Sequence, residues 1–374
     1  MAGRTASPPV KLDVPTLRRY SRQILVPEIG VAGQERLMSS SALVVGAGGL
    51  GSAALQALAA GGVGRLTILD PDFVDDTNLQ RQTIYASGDV GDPKVWAAQR
   101  RLHQLNPHVE VRAIDAEFDA FNGRELVRDH DVVLDCTDRF SARYLVNDAC
   151  VLEGKTDISA SIFRFEGTLA AFAGGGPCYR CLYPHLPDDA AGGCAEAGVV
   201  GTVAAILGAW QANEAIKFMS GAGTSLQGRY VSFDGASSVV REFRFERDPS
   251  CAICGDAPEI RELCEQVTPH SSIDEVGVEE LDEALRSAIL LDVREPHEAV
   301  LGPLDDALAI PLSQLEARLP ELDSSRSYIV ACRIGVKSRW AAERLRSAGI
   351  HRVAHLRGGL LAYAAARQAW ERIV

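Results

Sequence analysis

The chain has no apolar run approaching the roughly 18 residues a membrane-spanning helix requires. An integral helical membrane protein is therefore excluded as a reading. It also lacks a basic surplus: 38 Lys and Arg stand against 50 Asp and Glu, a formal net charge of −12. That balance repels a phosphate backbone, so nucleic-acid binding is not expected. Met1 to Pro9 are small and polar and lack the apolar centre of a secretory signal. Residues 1–16 are read as a flexible tail and the protein as cytoplasmic. Internal repeats and low-complexity tracts are absent, and the eight histidines show no metal-ligand spacing. What the chain does have is nine cysteines, an odd number in a compartment expected to be reducing, so a disulfide framework is not expected. They must be sorted into those that bind metal, those that react and those that pack.

A length of 374 residues suits two domains. Ser41–Val45 is an apolar run ending in glycines, Ala53–Ala60 is helical in character, and Leu66–Leu69 is a second apolar run. Strand, glycine turn, helix and strand make a βαβ unit. Lys94–Leu105 reads as a further helix and Val132–Leu134 as a further buried strand, so a mostly parallel sheet with helices on both faces is expected. Composition changes after Arg247: Asp248–Asp274 holds a cysteine pair, three prolines and little periodicity. A second alternating unit comes next, with strands at Ile289–Arg294 and Tyr328–Ala331 and a helix at Trp340–Ala348. The expected division is 17–256 for a nucleotide-binding domain, 257–274 for a linker and 275–374 for a small α/β domain.

Gly46-x-Gly48-x-x-Gly51 sits in the first βαβ turn, and Asp70 ends the next strand. Glycines let the backbone approach phosphate, the helix N-terminus offers unpaired N–H groups, and an acid at Asp70 suits ribose hydroxyls. A dehydrogenase would use such a loop for NAD. The polar residues downstream of Asp70 argue against hydride transfer. Asn78, Gln80, Arg81 and Gln82 cluster after the second strand, Lys94 opens the next helix, and Asp135-Cys136-Thr137-Asp138 ends a later strand. Cations beside a triphosphate, with an Asp able to hold Mg²⁺, suit nucleotidyl transfer.

These residues resemble the ubiquitin-activating superfamily, most of all the molybdopterin-synthase and thiamine-biosynthesis adenylyltransferases. The resemblance spans about 17–256 and includes Arg19–Gln23, the glycine loop, Asn78–Gln82, Pro93-Lys94, Tyr144–Asp148, Arg164–Gly167 and Cys194–Val199. It implies a Rossmann-like domain that uses ATP and Mg²⁺ to adenylate the C-terminal glycine carboxylate of a small ubiquitin-like carrier protein. It also implies site roles. Gly46, Gly48, Gly49, Asp70 and Gln80 would lie against the nucleotide, while Asn78, Arg81 and Lys94 would hold phosphates. Asp138 would coordinate Mg²⁺, and Arg22 would reach the triphosphate from the other subunit of a homodimer. Arg139 is a departure, since the family has Asn after the Asp.

Cys178-x-x-Cys181 and Cys251-x-x-Cys254 are two pairs about 70 residues apart. Four thiolates in this arrangement suit a closed tetrahedral Zn²⁺ site, and the matching family positions bind zinc. Cys194 lies in a glycine-rich stretch; in the family this position can form an acyl disulfide or thioester. Cys136, Cys150 and Cys264 are read as packing or incidental residues. Cys332 opens Cys332-Arg333-Ile334-Gly335-Val336-Lys337, which runs from a strand into a helix near Ser338. Backbone N–H groups of such a loop and the helix N-terminus stabilise an anion on sulfur, with Arg333 and Lys337 adding charge. This loop, Leu291–Glu295 and His355–Gly359 resemble a rhodanese domain over about 275–374.

The joint implication is an adenylyltransferase and sulfurtransferase. Its catalytic residues would be Cys332, Arg22, Arg81, Lys94, Asp138 and Cys194. A persulfide on Cys332, loaded by a cysteine desulfurase or thiosulfate, would convert a carrier ending in Gly-Gly to its thiocarboxylate. The alternative is a conjugation-type activating enzyme working through a Cys194 thioester.

Overall fold

The computed structural model describes residues 12–185, 198–265, 273–299, 307–333 and 335–367. The chain divides into two compact units, with the described residues up to 265 in the first and those from 273 in the second.

The first unit opens with helices α1 (Val14–Ile24) and α2 (Gly30–Met38). Asp13 caps α1 by accepting from Thr16 N at 2.9 Å, and Pro15 comes next at a position where a missing N–H costs nothing. The βαβ unit is β1 (Ser41–Val45), α3 (Gly49–Gly61) and β2 (Arg65–Leu69). All five residues of β1 are buried, as expected of a strand covered on both faces. Next come α4 (Lys94–Leu105), β3 (Glu110–Ile114), α5 (Gly123–Arg128), β4 (Val132–Asp135), α6 (Phe140–Glu153), β5 (Thr156–Phe163) and β6 (Glu166–Phe172). The unit continues with α7 (Tyr179–Leu182), α8 (Gly201–Ser220), β7 (Arg229–Asp234) and β8 (Val239–Arg244). The eight-stranded sheet runs β3-β2-β1-β4-β5-β6-β7-β8. Its first five strands are parallel, and β6 to β8 extend it antiparallel. The parallel part matches the sequence reading; the antiparallel extension is an addition to it.

One core layer packs β1 and β4 against α6: Leu43, Val45, Val133, Leu145, Val146, Ala149 and Cys150 are all buried together. This layer seats α6 directly behind the strand end Asp135 to Asp138.

The second unit contains β9 (Asp274–Val276), α9 (Leu281–Ala284), β10 (Ala288–Asp292), α10 (Pro296–Ala299), β11 (Leu308–Ala309) and α11 (Leu312–Arg318). It ends with β12 (Ser327–Ala331), α12 (Val336–Ser347), β13 (Val353–Leu356) and α13 (Gly359–Arg367). Its sheet is wholly parallel, in the order β11-β10-β12-β13-β9, with a buried cluster on each face. The β10 strand stops at Asp292, short of the expected Arg294. Asp292 turns instead to accept from the Arg294 amide and guanidinium in a buried pair, which fits a role in shaping the fold. The α12 helix starts at Val336, a full turn before Trp340.

Candidate functional site

The glycine turn joins β1 to α3. Gly46 has φ of +96°, and a Cβ there would lie 2.8 Å from the Cys136 carbonyl oxygen, so the position is closed to side chains twice over. The turn thus rests against the end of β4, and β1, β2 and β4 finish side by side, where open α/β sheets bind ligands.

Asp70 is 6% exposed and ends β2. Its Oδ2 accepts from Ala47 N at 2.7 Å and its Oδ1 from Asp72 N at 2.9 Å. Burial raises its pKa above the ordinary 3.8, with the Lys94 charge opposing. Lys94, 5% exposed, is the first residue of α4; its Nζ lies 2.7 Å from Asp72 Oδ2 and 3.9 Å from Asp70 Oδ1. Tyr85, which sequence reasoning missed, donates from its hydroxyl to the Ala47 carbonyl at 2.9 Å. Burial pushes the Tyr85 pKa up, so the phenol stays a donor. Asp70 and Tyr85 therefore grip Ala47 from its two sides.

Arg81 packs beside Gly49 and donates to the Thr77 carbonyl at 3.0 Å. Asn78 is half-buried and Gln80 exposed on the same turn. Gln82 is buried with its Nε2 3.8 Å from where a Gly48 side chain would begin, and its Oε1 has no hydrogen-bond partner among the described residues. Asp138 is exposed at the end of β4, and Arg139 beside it pairs with Glu117 at 3.2 Å. The structure thus brings together Gly46, Gly48, Gly49, Asp70, Arg81 and Lys94 at the ends of β1 and β2.

It does not bring Arg22 to the glycine turn of its own chain. Arg22 is exposed in the last turn of α1. Its neighbours pack at the far end of α3, Gln23 donating to the Gly61 carbonyl at 3.1 Å and Tyr20 lying against Gly62. A 13-residue helix places that end roughly 18 Å from the turn. Cys194 lies outside the described residues.

The turn that carries Asp138 is built from below. Asp135 Oδ1 accepts from Thr137 N at 3.0 Å and from its hydroxyl at 2.6 Å, and Oδ2 accepts from Ser159 Oγ at 2.8 Å. Arg143 on α6 donates to the Thr137 carbonyl at 2.8 Å and sits 3.7 Å from Asp135. Next to them Asp157 is fully buried, with neither carboxylate oxygen hydrogen-bonded among the described residues. Burial and the Asp135 charge push its pKa well above the ordinary 3.8.

The ligand atoms of Cys178, Cys181, Cys251 and Cys254 lie within 4.8 Å of one another, with Sγ···Sγ distances of 3.9, 3.7 and 3.3 Å along the chain of contacts. Tetrahedral zinc with Zn–S near 2.3 Å requires sulfur separations of about 3.8 Å, so the donor set fits. Burial and three sulfur neighbours raise the Cys178 thiol, a cost that a cation at the centre reverses. Cys136 and Cys150 are buried, and burial raises both thiols; Cys264 is exposed.

In the second unit Cys332 is 1% exposed at the end of β12. Its Sγ accepts from the amides of Gly335 and Ser338, both at 3.2 Å, and lies 3.5 Å from Ser338 Oγ. Gly335 has φ of +97°, and a Cβ there would meet Gly358 N at 3.0 Å, so the late Gly358-Gly359 pair backs the loop. Leu360 N and Leu361 N donate to the carbonyls of Cys332 and Arg333 at 2.9 Å. Lys337 does not stand alone as a positive charge: its Nζ lies 2.8 Å from Glu298 Oε1 on α10.

The ThiF family profile matches residues 20–253, and the rhodanese-like domain profile matches 277–366. The chain is 37% identical over 398 residues to the adenylyltransferase and sulfurtransferase MOCS3 of Sus scrofa, covering 96% of this chain and 88% of that protein. It is 37% identical over 361 residues to the probable adenylyltransferase/sulfurtransferase MoeZ of Mycobacterium tuberculosis, covering 92% of each. Over 254 residues it is 45% identical to the sulfur carrier protein adenylyltransferase of Thermus thermophilus, covering 66% of this chain and 94% of that one. Among solved structures, E. coli MccB with succinimide superposes with a TM-score of 0.56 at 22% identity, over 63% of this chain and 73% of that chain, a likeness of fold. With a glycine-turn unit, a four-cysteine cluster and a sulfur-cradling second unit in one sequence, the chain belongs to the ThiF family and carries a rhodanese-like domain.

Proposed function

We propose that this enzyme adenylates the C-terminal glycine carboxylate of a ubiquitin-like sulfur carrier protein ending in Gly-Gly, then passes it sulfur from a persulfide on Cys332. One observation carries the reading: a glycine-turn site equipped with Lys94 and Arg81 and an amide cradle around one cysteine sulfur occupy the same chain. The names of the relatives, adenylyltransferase and sulfurtransferase, and sulfur carrier protein adenylyltransferase, support it.

In the first step a carrier carboxylate oxygen attacks the α-phosphorus of ATP. The bond to the β-phosphate oxygen breaks, and pyrophosphate leaves with the electron pair. Asn78, Arg81 and Lys94 hold the developing charge, Lys94 exchanging Asp72 for phosphate, and Arg22 serves the other subunit of a homodimer. Asp138 would hold Mg²⁺, which neutralises phosphate charge when bound. Cys178, Cys181, Cys251 and Cys254 would hold structural Zn²⁺.

In the second step the terminal sulfur of the persulfide attacks the acyl carbon, the C–O bond breaks and AMP leaves. The carrier is then joined to Cys332 Sγ through an acyl disulfide. A second thiolate, Cys194 or an external thiol, attacks Cys332 Sγ; the S–S bond breaks and the thiocarboxylate departs with the electron pair. The persulfide comes from a cysteine desulfurase or from thiosulfate.

Intact mass spectrometry of a Gly-Gly carrier, after incubation with the enzyme, Mg-ATP and thiosulfate, tests the whole sequence. An oxygen-to-sulfur mass change that requires Cys332 is expected. No product and no ATP–pyrophosphate exchange with a panel of carriers would sink the reading.

A further inference from the structure

Helix α6 has two buried faces of opposite chemistry. Leu145, Val146, Ala149 and Cys150 join the apolar core against β1 and β4. Arg143, Tyr144, Asn147 and Asp148, two residues out of phase, are equally buried, at 6, 0, 1 and 1% exposure, yet three are polar or charged. Packing alone does not call for this: a buried ion pair is no more stabilising than apolar residues of the same shape, and what it adds is a defined geometry.

The polar face grips two places. At its N-terminal end Arg143 donates to the carbonyl of Thr137, the residue before Asp138, at 2.8 Å. One turn on, it grips the two residues inside the first cysteine pair. Asn147 Oδ1 accepts from Tyr179 N at 2.8 Å. Asp148 takes both arms of the Arg180 guanidinium at 2.7 Å, and that guanidinium stacks on the Tyr144 ring, 4.7 Å from its centre. The Tyr144 hydroxyl lies 2.7 Å from the carbonyl oxygens of Tyr183 and His185, just beyond the pair.

We infer that Arg180 is a positioning residue for adenylation: it clamps α6 to the cysteine knuckle, and α6 in turn holds the turn bearing Asp138. The inference rests on the proposed adenylation. It gives the metal cluster a second task beyond tying the chain together, since a knuckle that loosens releases α6, and Arg143 then no longer fixes the Thr137 carbonyl.

The test is Arg180→Lys in the full chain, which keeps the charge and loses the two-armed pairing. We expect the variant to retain its bound metal by elemental analysis and to transfer sulfur from thiosulfate to cyanide at the wild-type rate. Its kcat for carrier-dependent ATP–pyrophosphate exchange should fall about 10- to 100-fold. The Mg²⁺ concentration for half-maximal exchange should rise, with KM for the carrier unchanged. Unchanged kcat and Mg²⁺ dependence with metal retained would overturn the inference.

A second measurement needs no variant. Chelating the metal from the wild-type chain should speed deuterium uptake at 137–143 before the rest of the unit opens. Faster uptake at 178–181 with 137–143 unmoved would equally overturn it. A wild-type enzyme without any pyrophosphate exchange would defeat the adenylation reading and leave the deuterium result to decide the mechanical link.

Discussion

Both units end an interior parallel strand in a loop that enters a helix N-terminus, β1 into α3 and β12 into α12, yet they keep their positive charge in different places. At the glycine turn the groups that could meet a ligand are engaged with one another: Ala47 N with Asp70, Lys94 with Asp72. In the Cys332 loop two amides already converge on the sulfur at 3.2 Å, and the nearby lysine is turned toward Glu298. A triphosphate spreads its charge over oxygens several ångströms apart and calls for long side chains that can change partners. A sulfur anion is a single point, and backbone dipoles suffice for it.

If that contrast is right, the two chemistries can be separated. Cys332→Ala should abolish thiocarboxylate formation and leave ATP–pyrophosphate exchange at wild-type level. Lys94→Ala should lower exchange by about 10²- to 10³-fold, the scale for losing one fixed group at a developing charge, and leave thiosulfate–cyanide transfer intact. Either variant damaging both assays would mean that the two units do not work as independent modules.

A smaller effect is expected in stability at Asp157. Because the folded chain holds a proton there that the unfolded chain releases near the ordinary 3.8, its contribution is complete at acid pH. It is lost as pH rises through the raised value. Asp157→Leu removes a buried carboxyl that has no hydrogen-bond partner among the described residues, and should stabilise the protein by about 1–3 kcal/mol at neutral pH, and less at pH 4. Thermal melts of both proteins across pH 4–9 check this; a gain that is flat or shrinks with pH would contradict it.

The smallest change is predicted at Glu298. Glu298→Gln removes the carboxylate facing Lys337 and should lower KM for thiosulfate a few-fold, on the order of the ~1 kcal/mol of a partly exposed ion pair. An unchanged or higher KM in steady-state cyanide assays would show that Lys337 does not act on the incoming anion.

The features legible in the sequence are those made by short-range interactions. The glycine turn, Asp70, the cysteine pairs and the Cys332 loop are local spacings, each tied to one strand–loop–helix transition. The start of α4 at Lys94 was legible for the same reason. The Tyr85 contact and the pairing of Lys94 with Asp72 were not, because each joins segments 22 to 38 residues apart that only the fold brings together. Lys94 and Glu298 show the cost of reading charges singly: a lysine counts differently once its carboxylate neighbour is known. The antiparallel strand β8 was missed since it is exposed along its length and carries no apolar alternation.

The grip on Ala47 has a thermodynamic consequence. Asp70 fixes the peptide entering this residue and Tyr85 the peptide leaving it. Because a trans peptide sets N–H opposite C=O, the Gly48 amide is aimed before any nucleotide arrives. Little backbone freedom is then left to lose on binding. Calorimetry of nucleotide binding should therefore show a smaller entropic penalty for this chain than for Tyr85→Phe, whose loop would have to be ordered by the ligand itself.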